Sequence, residues 1–159
     1  MGYEEALMAS KRKQILLALT ARLAEIKVAS GYNTDAGLHV TYGKTASSGD
    51  DPKPSLALVS GASVVQDVNL ELESTRRWVL AVSGLMDEDP TDPAKIEDLV
   101  ADIKRAVFRP EDVVLGLGGF VIELEDAGAE VVNDVEEGGK AVGCSVPLAV
   151  RYREGYGQP

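Results

Sequence analysis

The residue types that most often carry chemistry are few in this chain and poorly spaced for it. Its one histidine, His39, has no second histidine with which to share a metal ion, and no Gly-x-Ser-x-Gly elbow supplies a serine nucleophile. The single cysteine, Cys144, lies in an alternating apolar run, the setting of a small buried hydrophobe rather than of an activated thiol. Gly116-Leu117-Gly118-Gly119-Phe120 looks like a phosphate loop only superficially. It precedes a strand and lacks both the Lys-Ser/Thr ending of a P-loop and the glycine spacing of a dinucleotide fingerprint, so it reads as a turn. Asp87, Glu88, Asp89 and Asp92 offer carboxylates to a divalent cation but lack calcium-loop spacing, and they precede a helix whose N-terminus already favours negative charge. The reading is of a chain with no catalytic residue, no metal ligand and no cofactor.

The segment just before His39 is the most informative. Gly31-Tyr32-Asn33-Thr34-Asp35-Ala36-Gly37 joins a helical pattern to a strand pattern. Gly31 suits the left-handed conformation that ends a helix, Asn33 and Asp35 can hydrogen-bond nearby backbone, and Gly37 allows a sharp turn. Its expected role is architectural, with His39 as a strand residue.

A chain of 159 residues fits one domain over 1–159, with a core that needs neither disulfide nor metal. Its 16 Lys plus Arg stand against 26 Asp plus Glu, for a net charge of -10, so anionic membranes and phosphate backbones should be repelled. Such a surface can still line a passage through which DNA moves without adhering. One cysteine excludes an intrachain disulfide and agrees with a reducing compartment. The first ten residues carry Glu4 and Glu5 and lack the pattern of a secretory signal, and no apolar run is long enough to span a bilayer; a soluble chain is expected.

The elements that must position these residues follow from periodicity. Ile15, Leu16, Leu19, Leu23 and Ile26 recur at three- and four-residue spacing and predict an amphipathic first helix. A short strand is expected over 38–42, then a long polar loop over 43–54 that is mobile or orders against a partner. Leu56 to Val59 predicts a strand, Gly61 a break, and Val64, Val68, Leu70 and Leu72 a second strand. The run 73–85 carries Trp78, Leu80 and Val82 on one face and Arg77, Val79 and Ala81 on the other, as a central strand does.

Asp92-Pro93 predicts a helix start, with Asp92 as cap and Pro93 at the first helical position. Ile96, Leu99, Val100, Ile103 and Val107 then form the cleanest helical stripe in the chain. Phe120, Ile122 and Leu124 alternate with polar neighbours; with a strand over 129–134 and a last strand after residue 140 they predict an antiparallel meander. Pro147 interrupts the last strand, placing it at an edge or at a bulge. The expected fold is α+β, a mixed and mainly antiparallel sheet packed against two principal helices, with flexible termini.

This order of features resembles the tail terminator, or tail completion, family of long-tailed bacteriophages. The likeness rests on the first helix, the junction at 31–37, the strand and long loop after it, Arg76-Arg77-Trp78-Val79-Leu80-Ala81-Val82, the acidic turn, the helix from Pro93, and Val146-Pro147-Leu148-Ala149-Val150-Arg151-Tyr152. It implies a non-enzymatic virion protein, assembled in the host cytoplasm, that forms a six-membered ring of identical subunits. The ring would cap the head-proximal end of the tail tube, stop its growth and present a head-joining surface. Its partners would be further copies of itself, the tail tube protein and a head-tail connector protein, with DNA passing through unbound and no membrane involved.

A closed ring needs heterologous contacts, one patch meeting a different patch on the next copy. Candidate interface residues are Tyr32, Asn33 and Asp35 in the junction, Lys44 and Asp50 in the loop, and Arg151 and Arg153 near the C-terminus. Candidate channel-lining residues are Asp126, Glu130, Glu136 and Glu137. The alternatives are a head-tail connector or another ring-forming morphogenesis protein, a small cytoplasmic hydrolase built around His39, and a monomeric adaptor.

Overall fold

The computed structural model describes residues 10–42, 52–134 and 141–157. Among them a mixed six-stranded sheet carries two helices, an α+β arrangement with strand order β1-β2-β3-β6-β4 and β5 also paired to β6. Helix α1 (Lys11–Leu23) is capped by the Ser10 hydroxyl, which accepts the Lys13 N–H at 3.2 Å. Its Ile15, Leu19 and Leu23 are buried with Ile26 just beyond its end. Two 3-10 turns follow (Val28–Ser30 and Ala36–Leu38), so the short strand β1 (Val40–Tyr42) starts two residues later than expected. His39 is consequently not a strand residue; it ends the second turn, is exposed, and its carbonyl accepts the Leu56 N–H at 2.8 Å.

Strand β2 (Ser55–Val68) is one continuous element that pairs parallel with β1 and antiparallel with β3 (Glu73–Asp87). Gly61 does not break it. The register shifts between Ser60 and Ser63, and a Cβ at Gly61 would lie 2.7 Å from the Val79 carbonyl oxygen, so glycine permits a bulge where a break was expected. Leu70 and Leu72 lie past the end of β2, in its connection to β3. Asn69 folds that connection: its side-chain oxygen accepts the Glu71 and Glu73 N–H groups at 3.0 and 2.9 Å, and Leu72 sits at φ 58°.

Strand β3 is central, flanked by β2 and by β6 (Ala141–Gly155). Helix α2 (Lys95–Val107) follows β3 and starts after the Asp92-Pro93 pair. The cap is Ala94 rather than Asp92, with no side-chain cap, so Pro93 precedes the helix instead of opening it; Asp92 contributes only its carbonyl, which accepts the Lys95 N–H at 3.1 Å. The five apolar residues of the predicted stripe are all buried in the core between helices and sheet, with Trp78 and Tyr152 meeting edge to face at 6.5 Å.

The expected meander is not formed. Strands β4 (Val121–Asp126) and β5 (Val131–Asp134) do not pair with one another; both pair antiparallel with β6, one after the other along its same side. This also corrects the placing of β6, which is interior rather than at an edge. Pro147 is tolerated because its carbonyl faces the gap between β4 and β5, where Ala127 donates to it at 3.4 Å, and its missing N–H faces the same gap. In β4 a register shift after Val121 replaces strict alternation, so Val121 and Leu124 are the buried pair instead of Phe120, Ile122 and Leu124.

Candidate assembly surface

The junction after α1 is held by one carboxylate. Asp102, on α2, is 1% exposed. Its Oδ1 accepts the Asn33 backbone and Nδ2 hydrogens at 3.0 and 3.1 Å, and its Oδ2 accepts the Thr34 N–H and hydroxyl at 2.8 Å each. Asp35 faces the other way and accepts the Val28 N–H at 2.9 Å. Gly31, at φ 92°, presents its carbonyl to Arg105 at 2.8 Å, and that guanidinium lies 4.6 Å from the centre of the Tyr32 ring. Among the proposed interface residues, Tyr32 is therefore half-buried and stacked, while Asn33 and Asp35 are exposed side chains whose polar atoms already brace the loop.

Beside this junction the segment after α2 makes a depression lined by Tyr32, Arg105, Phe108, Arg109, Pro110 and Glu111. A neighbouring cleft of about 330 Å³ shares Phe108, Arg109 and Pro110 and adds Val113, Leu124 and Asp126. Its floor is fixed from below. Buried Arg22 donates to the Val107 and Asp112 carbonyls at 2.8 and 2.7 Å and pairs with the Asp112 carboxylate at 3.0 Å. The Gly116 N–H and Arg22 hold the Asp112 carboxyl below the usual carboxylate range. Arg109 is tied to Glu25, so two arginines anchor the cleft to the end of α1.

The C-terminal candidates part company. Arg151 is half-buried on the face of the sheet opposite Trp78, where it donates to Glu123 at 2.8 Å and to Gln66 at 3.1 Å and lies 3.8 Å from Glu125. Arg77 joins the same ladder through Glu125 at 3.0 Å. Arg153 is exposed. Of the candidate channel residues, Asp126 is exposed and accepts the Gly128 N–H at 2.9 Å, and Glu130 is paired with Lys104 at 2.7 Å, which holds the Lys104 proton more firmly than usual. Lys44, Asp50, Glu136 and Glu137 lie outside the described residues.

The residues first weighed for catalysis are not gathered. Cys144 is buried beside Gly84, and burial pushes its thiol up to about 11. On the order of one molecule in a thousand is then thiolate at pH 8. Labelling by a maleimide at that pH is expected to be on the order of 100-fold slower in the folded protein than after unfolding in guanidinium; equal rates would contradict the burial. Asp89 is occupied by Thr91, whose N–H and hydroxyl it accepts at 2.9 and 2.6 Å, while Lys95 lies 3.8 Å away. Among the described residues no group of three His, Cys, Asp or Glu side chains is placed to hold a metal ion, and no helix is long and apolar enough to cross a membrane.

Two features escaped the sequence. Asp102 carried a signal, since it falls three residues after buried Leu99 and four before buried Ala106, a carboxylate on the buried side of its helix. The cleft carried none, because its lining comes from two segments that only the folded sheet brings together.

No family model matches the chain, and no curated protein matches it. Among solved structures, the fold is similar to that of a chain in "Virion of native gene transfer agent (GTA) particle", with 16% identity, a TM-score of 0.55, and coverage of 87% of this chain and 93% of that one.

Proposed function

We propose that this chain is a non-enzymatic structural protein of a phage-like virion, and that copies of it form a ring capping the head-proximal end of a tail tube. The observation that carries the reading is the likeness to a chain of a gene transfer agent virion, because it extends over nearly the whole of both chains rather than over one shared motif. The resemblance of element order to tail terminators supplies the finer role. Ring formation, tube capping, a head-side connector as neighbour and passage of DNA all belong to that finer role.

The surface supports assembly more than catalysis. Polar side chains at the junction and on the open sheet face pair with one another, and exposed apolar side chains cluster on and beyond β2, at Val64, Val65, Val68, Leu70 and Leu72, and on β5, at Val131 and Val132. The net charge of -10 suits a channel that DNA crosses without sticking.

Mass measurement in solution across protein and divalent-ion concentrations, with electron microscopy of purified tail tubes mixed with the protein, tests the reading. Rings seated on one end of each tube are expected. A protein that stays monomeric at every accessible concentration and never joins tube ends overturns it in favour of an adaptor; rings that bind only a head-side connector reassign it to that connector.

A further inference from the structure

The turn between β2 and β3 is built to hold leucines out in water. Asn69 closes it with three contacts, accepting the Glu71 and Glu73 N–H groups on its side chain and the Leu72 N–H on its carbonyl at 3.1 Å. The Leu72 carbonyl is fixed in turn by the Tyr156 N–H at 3.2 Å. The turn is thus tied down from two sides, yet Leu70 is fully exposed and Leu72 is 62% exposed, in a backbone region that a leucine seldom adopts. Val68 and Tyr156 beside them are also exposed. From residue 61 to residue 75 the chain has no Lys or Arg and carries Asp67, Glu71 and Glu73. The tip is an apolar knob with Glu71 and Glu73 beside it and Lys11, from the start of α1, in the depression at its base.

The cleft of Phe108, Arg109, Pro110, Val113, Leu124 and Asp126 is a hollow where the tip is a projection, with one arginine and one aspartate among its lining residues. It is apolar at its floor, and its volume of about 330 Å³ is roughly twice that of the ~150 Å³ cavity which accepts a benzene-sized group. Arg109, already paired with Glu25, stands in its wall, and Arg105 lies with Glu111 in the depression next to it. Arg105 has no carboxylate partner among the described residues, its contacts being the Gly31 carbonyl and the Tyr32 ring. The Asp126 carboxylate, also in the lining, is directed to the Gly128 N–H.

A tip cannot reach the cleft of its own chain. Leu124 is in register with Val150, and Val150 with Trp78, six residues along β3 from Leu72; that is about 20 Å along the strands. Strands β3 and β6 also stand between β2 and β4, about 14 Å across the sheet. Knob and cleft therefore lie toward opposite edges of one sheet, the knob at an end of β3 and Leu124 level with its middle. A contact between them is heterologous, with one copy's tip always free to meet the next copy's cleft, the geometry that generates rings.

We propose that the β2–β3 tip of one copy, through Leu70 and Leu72, seats in the Phe108–Pro110–Val113–Leu124 cleft of a second copy, with Glu71 and Glu73 facing Arg105 and Arg109. The proposal rests on the ring reading and names the contact that makes the ring. Leu70→Asp disables the tip and Val113→Asp the cleft; both side chains are exposed, and both variants are expected to melt with the wild type.

Sedimentation of each variant alone is expected to show self-association weakened at least tenfold in protein concentration. An equimolar mixture should recover one good interface, the Val113→Asp tip in the Leu70→Asp cleft, and stop at one-to-one heterodimers. Should Val113→Asp melt early, Leu70→Asp alone carries the test. Rings formed by Leu70→Asp as readily as by wild type overturn the contact while leaving the ring reading standing. If those rings then fail to cap tubes, the tip serves the tube protein instead of a second copy. A wild type that is monomeric throughout overturns both.

Discussion

Asp102→Ala is expected to lower the stability of the folded chain by roughly 2–6 kcal/mol, read as a drop in the urea midpoint with an unchanged slope. The carboxylate accepts four hydrogen bonds from Asn33 and Thr34, and it does so from within the core. Alanine leaves all four donors. The two on Asn33 can turn to water because that side chain is exposed, whereas Thr34 is 6% exposed and its N–H and hydroxyl stay dry. Each buried donor left unmade costs about 1–3 kcal/mol, which sets the range.

Asp102→Asn separates the hydrogen bonds from the shape. Its amide oxygen can still accept two donors, and the Thr34 hydroxyl can reverse to accept from the new NH2, but a backbone N–H cannot reverse. A loss of roughly half the alanine effect is expected. If Asp102→Ala unfolds within about 0.5 kcal/mol of wild type, the junction is held by packing and not by this residue.

The consequence reaches the surface. Asp102 fixes Asn33 and Thr34, which follow Tyr32, and Tyr32 shares Arg105 with the Gly31 carbonyl at the margin of the cleft. Loosening the junction should therefore blur the wall of the proposed socket as well as destabilise the chain.

What the sequence made legible were the elements whose pattern is local. The stripe from Ile96 to Val107 has one buried face because i, i+3 and i+4 positions meet on a helix whatever lies opposite. Val79 and Ala81, opposite Trp78, Leu80 and Val82, marked β3 as central, and it is, although its Val79 face is only half-buried while its Trp78 face meets the core. Pairing was not local. Nothing in 121–134 says that β4 and β5 share one side of β6, and without that fact Pro147 points to an edge. Gly61 was ambiguous in the same way, because a glycine in an apolar run marks a break or a bulge, and only the Val79 carbonyl beside it decides.

The candidate site was less legible than the fold. Alternation of Val68, Leu70 and Leu72 reads as a strand, and the competing signal was Asn69, whose side chain offers the backbone a turn. Tyr32 and the junction were visible as an unusual segment, but their anchor lies 68 residues away from Thr34 on another helix. Residue type announced the loop, and only the tertiary structure named its partner.

Gly37→Ala is expected to be the second severe change in the described chain, at about 3 kcal/mol or more. Gly37 is packed where a Cβ would sit 2.7 Å from the carbonyl oxygens of Leu23, Ala24 and Ile26 at once, and its own N–H donates to the Ile26 carbonyl at 2.8 Å. A clash with the end of a flexible side chain relaxes cheaply; here all three neighbours are backbone at the end of α1, and moving them uncouples the helix from the sheet. The gain of about 0.4–1 kcal/mol that alanine normally brings by restricting the unfolded chain is too small to offset this. Gly119→Ala is the control, because nothing lies within 4 Å of a Cβ built there, and it should fall within about 0.5 kcal/mol of wild type. Urea denaturation of the pair distinguishes close approach from a general intolerance of alanine in glycine-rich turns. Equal midpoints for the two variants would mean that α1 can shift away from Gly37, and that the junction is a hinge rather than a brace.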